Sequence, residues 1–136
     1  NGNIKQLAPT PIAAKILDYP QTRALSQQLP ENTVLVDSRE EPRYLGLQEP
    51  IDPIAGHIPG ALNLPWMQAV DAEGRLLPEA QQRQRWERFA PENREVVVYC
   101  GSGVTACVNL LSLALAGFPP AALYAGSWSD WCSYQK

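Results

Sequence analysis

The 136-residue chain lacks most of the features that place a protein in a broad class at once. No apolar run approaches the roughly 18 residues that a membrane-spanning helix needs. No stripe of lysine and arginine is present, and the net charge is −3, which argues against a general nucleic-acid binder. We therefore expect neither nucleic acid nor a membrane among its partners.

The chain also has few residues that could bind a metal or form disulfides. The chain has one histidine and three cysteines, Cys100, Cys107 and Cys132, and it has no CxxC pair. A single histidine gives little support to a zinc site, and an odd set of cysteines argues against a disulfide framework in a domain of this size. We expect no metal, no cofactor, and the reduced thiols of a cytoplasmic protein.

The order of apolar and polar stretches predicts one α/β domain. A chain of this length can bury one hydrophobic core. Short apolar runs alternate with helical patterns, which is typical of a parallel sheet of about five strands with helices on both faces. Strands are predicted at 34–37, 61–64, 95–99 and 122–124, and helices at 22–29, 78–89 and 104–116.

The two ends of the chain differ in pattern. Residues 1–20 contain three prolines and little periodicity, so they are predicted to be a lead-in or interdomain linker. Residues 21–136 are predicted to be the folded domain. Within it, residues 40–60 are rich in proline and glycine and are predicted to form a loop.

The strongest chemical signal is the segment Cys100-Gly101-Ser102-Gly103-Val104-Thr105-Ala106, between a predicted strand and a predicted helix. A cysteine at such a turn faces the loop N–H groups and the positive end of the helix dipole, and both favour a thiolate. The two glycines let the loop close tightly around the sulfur. The pattern predicts that Cys100 is a nucleophile in an anion cradle.

Polar side chains also follow the predicted strand at 34–37. Ligands of parallel α/β sheets bind beyond the carboxyl ends of the strands, so Asp37 and Cys100 are expected to face one crevice. Asp37 is expected to organise the site through hydrogen bonds. Arg39 is expected to be structural, with its charge matched by a buried carboxylate.

Four blocks of the sequence resemble the rhodanese-like sulfurtransferases, in the order in which that family carries them. They span most of residues 34–132 and are Val36-Asp37-Ser38-Arg39 with Arg43-Tyr44, Gly56-His57-Ile58-Pro59-Gly60-Ala61, the loop from Cys100 to Ala106, and Gly126-Ser127-Trp128 with Trp131. The loop most resembles the 3-mercaptopyruvate branch. Thiosulfate sulfurtransferases usually carry basic residues just after the cysteine, where this chain has Gly101 and Ser102.

The resemblance implies a rhodanese-like domain that moves a sulfane sulfur from thiosulfate or 3-mercaptopyruvate, through a Cys100 persulfide, to cyanide or a thiol. The persulfide cradle would be Gly101, Ser102, Gly103, Val104 and Thr105. Arg43 aligns with the family's substrate-side arginine, and a guanidinium matches a sulfonate or a carboxylate. Ser102 is a second candidate for binding the donor.

The donor stays open at this point. Mercaptopyruvate enzymes often carry a second arginine where this chain has Ile51 and Asp52. The active domain of the family is commonly the C-terminal half of a tandem, and the abrupt start at Asn1 fits an excised half. We expect a rhodanese-like N-terminal half as a partner, besides a small-molecule sulfur donor and acceptor.

Three alternatives are weighed against this hypothesis. A cysteine-based phosphatase or arsenate reductase needs an arginine at the sixth position after the cysteine, where this chain has Ala106. A non-catalytic module of the same fold usually loses the cysteine, which is present here. Sulfur relay to a partner protein, rather than to a small acceptor, remains open. His57, the one histidine, is expected to be structural.

Overall fold

A computed structural model describes residues 13–135, with side chains from Lys15 onward. Five strands form one sheet in the order β1-β5-β4-β2-β3, and every neighbouring pair is parallel. The strands are β1 (Ala13–Leu17), β2 (Thr33–Asp37), β3 (Leu62–Asn63), β4 (Glu95–Tyr99) and β5 (Ala121–Tyr124). The predicted α/β fold with a parallel five-stranded sheet is confirmed.

Helices cover both faces of this sheet. They are α1 (Tyr19–Gln27), α2 (Glu41–Tyr44), α3 (Glu79–Trp86), α4 (Ala106–Leu115) and α5 (Ser127–Ser133), with short 3-10 turns at Trp66–Ala69 and Glu87–Phe89. One core packs the even-numbered valines of β2 and β4 against α3 and α4, and the other packs their odd-numbered neighbours against α5. Strands buried on both faces explain the unbroken apolar runs that predicted them.

The start of the domain differs from the sequence prediction. Residues 13–20 were assigned to a lead-in, but β1 pairs with β5 as an edge strand, and α1 begins at Tyr19. Lys15 and Ile16 are exposed and Leu17 is buried. The exposure of this edge strand therefore does not follow the apolar pattern of its sequence, and the pattern did not predict a strand here. Pro20 lies in the first turn of α1, where proline is tolerated. Residues 1–12 of the predicted lead-in lie outside the described residues.

Two further helices lie where none was predicted. The short helix α2 falls inside the segment 40–60 that was predicted to be a loop, and α5 forms from the short aromatic segment near residue 128. Both are held mainly by tertiary contacts, since Arg43 of α2 and Trp128 of α5 are buried. No helix in the range 13–135 is long and apolar enough to cross a membrane.

The sheet register brings the predicted site residues together. Asp37, the last residue of β2, is the direct partner of Tyr99, the last residue of β4. The pairing continues one step further, where the Ser38 N–H donates to the Tyr99 carbonyl at 2.8 Å. Asp37 and Cys100 therefore lie at the same edge of the sheet, as expected from their positions after two parallel strands.

Candidate active site

Cys100 directly follows β4, and hydrogen bonds hold both its backbone and its side chain. Its backbone N–H donates to the Ser127 hydroxyl at 3.0 Å, and its Sγ accepts the Gly103 N–H at 3.0 Å. The side chain is completely buried. In the described part of the chain, Gly103 is the loop residue whose amide reaches the sulfur. The amides of Gly101, Ser102, Val104 and Thr105 stay predicted contributors to the cradle.

Gly103 is required by the shape of this loop. Its φ is +92°, in the region that favours glycine. A Cβ at this position would collide with the Ala125 carbonyl oxygen and lie 3.2 Å from the carbonyl carbon of the same residue. Any side chain at residue 103 would thus push the loop away from β5 and carry the Gly103 N–H away from the sulfur.

Backbone hydrogen bonds from the start of α5 also hold the Cys100 loop in place. The N–H groups of Trp128 and Ser129 donate to the carbonyls of Cys100 and Gly101, both at 2.9 Å. Ser127 is fully buried, and its hydroxyl donates to the Tyr124 carbonyl at 2.9 Å while lying 4.0 Å from the Cys100 Sγ. Its φ of 61° is unusual for a residue with a side chain.

Ser127 is therefore a site residue that the sequence analysis did not assign. Backbone strain of this kind persists only where the surroundings enforce it, and it clusters at functional sites. The available signal was the Gly126-Ser127-Trp128 block, which resembles the rhodanese-like family but had indicated no role for Ser127.

Arg43 comes from α2 and reaches the same loop. Its Nη1 and Nη2 lie 3.4 and 3.5 Å from the position that a Cβ on Gly101 would take, so glycine at residue 101 leaves room for the guanidinium. Its Nη2 pairs with Glu49 at 2.9 Å and with Asp52 at 3.4 Å. Both partners lie further along the chain, because residues 45–52 turn back over the guanidinium.

Part of Arg43 has no partner in the structure. Its Nε is buried without a hydrogen-bond partner among the described residues. A buried donor left unpaired costs roughly 1–3 kcal/mol, so this N–H group lowers the stability of the arrangement. The guanidinium nitrogens beside Gly101 are Nη1 and Nη2.

Asp37 and Arg39 form a buried pair beneath this arrangement. Arg39 Nη2 contacts Asp37 Oδ2 at 2.7 Å and donates to the Gly56 carbonyl at 2.6 Å. Burial lowers the pKa of Arg39, but the hydrogen bond to Asp37 and its charge outweigh burial, and the net pKa is raised. The structural role expected for Arg39 is confirmed. Burial, with the nearby Asp37 charge, also holds the pKa of Tyr99 well above its usual range.

A cavity of about 370 Å³ connects the loop with the arginines. Its lining includes Arg43, Asp52, Gly101, Ser102 and Thr105. Ser102 is exposed there, whereas Cys100 lies beneath the lining. A larger groove of about 690 Å³ lies against β3 and α3 but contains no residue of the loop. The smaller cavity is the candidate site because Arg43 and the loop residues Gly101, Ser102 and Thr105 line it directly above Cys100.

Other candidates from the sequence lie apart from this chemistry. His57 stacks on Tyr44 with 3.9 Å between ring centroids, and its Nδ1 contacts the Tyr44 carbonyl at 2.7 Å, which fits a structural role. Ala106 is fully buried at the start of α4, so its position offers no room for a phosphate-binding arginine. Over residues 13–135, no cluster of three or more histidine, cysteine or carboxylate side chains could hold a metal ion.

Comparison with known proteins gives a consistent result. The family described as "Rhodanese-like domain" matches residues 21–134. A "Probable 3-mercaptopyruvate sulfurtransferase" of Pseudomonas aeruginosa is 54% identical over 100 residues, which cover 71% of this chain and 35% of that protein. A "Thiosulfate sulfurtransferase" of Rattus norvegicus is 38% identical over 101 residues, which cover 71% of this chain and 34% of that protein.

A solved structure agrees in fold. The crystal structure of the Tum1 protein from Saccharomyces cerevisiae superposes with a TM-score of 0.77 and 28% sequence identity. The superposition covers 89% of this chain and 44% of that one. The chain thus spans 35% and 34% of the two curated relatives and less than half of this structural one.

Proposed function

Because the chain belongs to the rhodanese-like family, whose domain spans residues 21–134, we propose that the protein is a sulfurtransferase working through a persulfide on Cys100. The donor is thiosulfate or 3-mercaptopyruvate, and the acceptor is cyanide or a thiol. The observation that carries the proposal is the Gly103 N–H, directed at the Cys100 Sγ from 3.0 Å. A backbone donor in that position stabilises negative charge on sulfur without a general base.

In the first half-reaction the Cys100 thiolate attacks the outer sulfur of the donor. With thiosulfate, the new S–S bond forms while the old S–S bond breaks, and sulfite leaves with the bonding electron pair. With 3-mercaptopyruvate, the C–S bond breaks and its electron pair goes to carbon. The resulting enolate takes up one proton to become pyruvate, and the donor's thiol releases one, so the persulfide is left as an anion.

In the second half-reaction the acceptor attacks the outer sulfur of the persulfide. Cyanide forms an S–C bond and leaves as thiocyanate, or a thiolate leaves as a persulfide, and in both cases the Cys100 thiolate is regenerated. This is ping-pong covalent catalysis. We propose that the amides of Gly101, Ser102, Val104 and Thr105 face the outer sulfur once it is present.

Donor access requires a movement of the loop. Cys100 is fully buried, so residues 101–105 have to open far enough to admit the donor's outer sulfur. Gly101 and Gly103 supply the backbone freedom for this movement. The cavity beside the loop then holds the rest of the donor, with its sulfonate or carboxylate on Arg43 and a hydrogen bond from Ser102. Asp37 supports this arrangement indirectly, through its buried pair with Arg39.

We also propose a second rhodanese-like half as partner, N-terminal to residues 21–136. Ile51 lines the cavity and is 74% exposed, and Val104 of the loop is 72% exposed. Apolar side chains at the mouth of a site are stabilised when a further surface covers them. That the matched region is about a third of the curated relatives fits such a tandem. Three free thiols support a cytoplasmic location.

The test is a steady-state assay of the full-length protein with both donors, side by side, with cyanide as acceptor. We expect turnover with at least one donor and parallel reciprocal plots, as ping-pong kinetics require. Cys100→Ser should abolish transfer, and Cys107→Ser is the matched control because that cysteine is exposed in α4. Substantial transfer by Cys100→Ser would refute the proposal.

A further inference from the structure

The cation that faces the donor is already engaged by carboxylates of the protein itself. Arg43 Nη2 contacts Glu49 at 2.9 Å and Asp52 at 3.4 Å. The two carboxylate side chains are only 6% and 8% exposed, so water screens them weakly. Burial raises the pKa of Glu49, but hydrogen bonds from the Asp52 and Ile51 amides and from Arg43 outweigh it, so the net pKa is lowered. Glu49 therefore stays anionic at neutral pH.

Asp52 is fixed in this position rather than free to swing away. The Ser129 hydroxyl donates to its Oδ1 at 2.6 Å, and its own backbone N–H donates to Glu49 at 2.9 Å. Ser129 belongs to α5, which also binds the Cys100 loop. A donor entering the cavity thus meets an immobilised carboxylate next to the guanidinium that attracts it.

The charges bordering the cavity do not sum to a positive field. Among the described residues that line it, the cations are Arg39 and Arg43, and Arg39 is committed to the buried Asp37. The carboxylates in the lining are Glu40 and Asp52, and the arginines also pair with Asp37 and Glu49, which are not part of the lining. A donor anion is attracted by one guanidinium that two fixed carboxylates already neutralise.

We propose that Asp52 is a specificity-determining residue that selects singly charged sulfur donors over dianions. The inference rests on the proposed sulfurtransferase function of the same site. 3-Mercaptopyruvate enters with one negative charge when its thiol is protonated, whereas thiosulfate carries two. Each additional donor charge is repelled by the carboxylate that Ser129 holds in place. The site therefore uses 3-mercaptopyruvate, or another monoanionic donor, in preference to thiosulfate.

The test compares Asp52→Asn with the wild-type protein, with kcat/KM measured for both donors in the full-length protein. Asparagine keeps the acceptor for Ser129 and removes the charge. One unit charge about 10 Å from another, at an effective dielectric of about 20, changes binding by roughly tenfold. We expect the ratio of kcat/KM for thiosulfate to that for 3-mercaptopyruvate to rise about tenfold in Asp52→Asn.

Two further variants separate charge from shape and from remote effects. Asp52→Glu keeps the charge and should leave the ratio near the wild-type value. Asp71→Asn makes the same chemical change in a residue that pairs with Arg75, outside the cavity lining, and should leave the ratio unchanged. An unchanged ratio in Asp52→Asn, or an equal rise in Asp52→Glu, would overturn the proposal.

The same samples tell this failure from failure of the sulfurtransferase function. Intact-mass measurement with peptide mapping after incubation with each donor reports whether a sulfur atom has been added to Cys100. If sulfur is added but the ratio of kcat/KM for the two donors is the same in Asp52→Asn and the wild type, the specificity proposal is refuted and the sulfurtransferase function stands. If no donor adds sulfur to the wild type or to Asp52→Asn, the function itself is refuted.

Discussion

We expect the replacement of Arg43 by alanine to weaken both donor binding and folding. The guanidinium lines the cavity beside Gly101. A charge-assisted hydrogen bond to a donor anion contributes about 1.5–3 kcal/mol. Since about 1.4 kcal/mol corresponds to a factor of ten, the KM for the donor should rise roughly 10- to 100-fold.

The structure adds a second effect to this loss. Without Arg43, the carboxylates of Glu49 and Asp52 would lie nearly buried, and Asp52 would lose its charge partner. Removing one member of a buried ion pair costs about 3–5 kcal/mol, and this is an upper limit here because Arg39 also contacts Glu49 at 3.3 Å. The thermal unfolding midpoint should therefore fall together with donor affinity.

Two companion variants separate binding from stability. Arg43→Lys keeps the charge but loses the planar fork, so it should retain more stability than affinity. Arg43→Ala combined with Glu49→Gln removes one unpaired carboxylate and should recover stability without recovering donor binding. Steady-state kinetics with both donors and thermal unfolding measure the two effects. An unchanged KM for both donors in Arg43→Ala would remove Arg43 from the site.

Two more outcomes are expected. Gly103→Ala should lower kcat/KM by more than tenfold, because the added methyl group collides with the Ala125 carbonyl. The control is Gly74→Ala, at φ +79° with open space around it. Equal losses of kcat/KM in the two variants would refute the requirement for glycine at residue 103. Glu49 has a lowered pKa, so the stability it contributes is present at neutral pH and lost as pH falls below its ordinary value of 4.5. The unfolding midpoint of Glu49→Gln should fall less between pH 7 and pH 3 than that of the wild type, and an equal fall would contradict this.

Much of the fold could be predicted because it follows from local pattern. The valine-rich runs of β2 and β4 are buried on both faces, and such strands have an unmistakable composition. The edge strand β1 could not be predicted in this way. Lys15 and Ile16 of this strand are exposed, and the strand is stabilised by pairing with β5, a partner more than 100 residues away in the chain.

Some residues of the candidate site could also be predicted from the sequence, and others could not. Cys100, Gly103 and Arg43 come from short blocks whose composition indicates chemistry. The structure places the Arg43 guanidinium beside the Cys100 loop, and Arg43 lines the cavity beneath which Cys100 lies. Glu49 and Asp52 look like ordinary polar residues of a loop, and Ser127 looks like part of an aromatic segment. Their contacts arise from chain segments that meet only in the folded protein, such as Ser129 with Asp52 across 77 positions. The pattern of a single sequence does not indicate such contacts between distant segments.

Intact-mass spectrometry with peptide mapping shows whether Cys100 carries the transferred sulfur. After incubation of the full-length protein with thiosulfate or 3-mercaptopyruvate, we expect an added mass of about 32 Da, one sulfur atom, on the peptide that contains Cys100. Cyanide should then remove this mass, and Cys100→Ser should never acquire it. An adduct confined to Cys107 or Cys132, or transfer without any adduct on Cys100, would show that Cys100 is not the sulfur carrier.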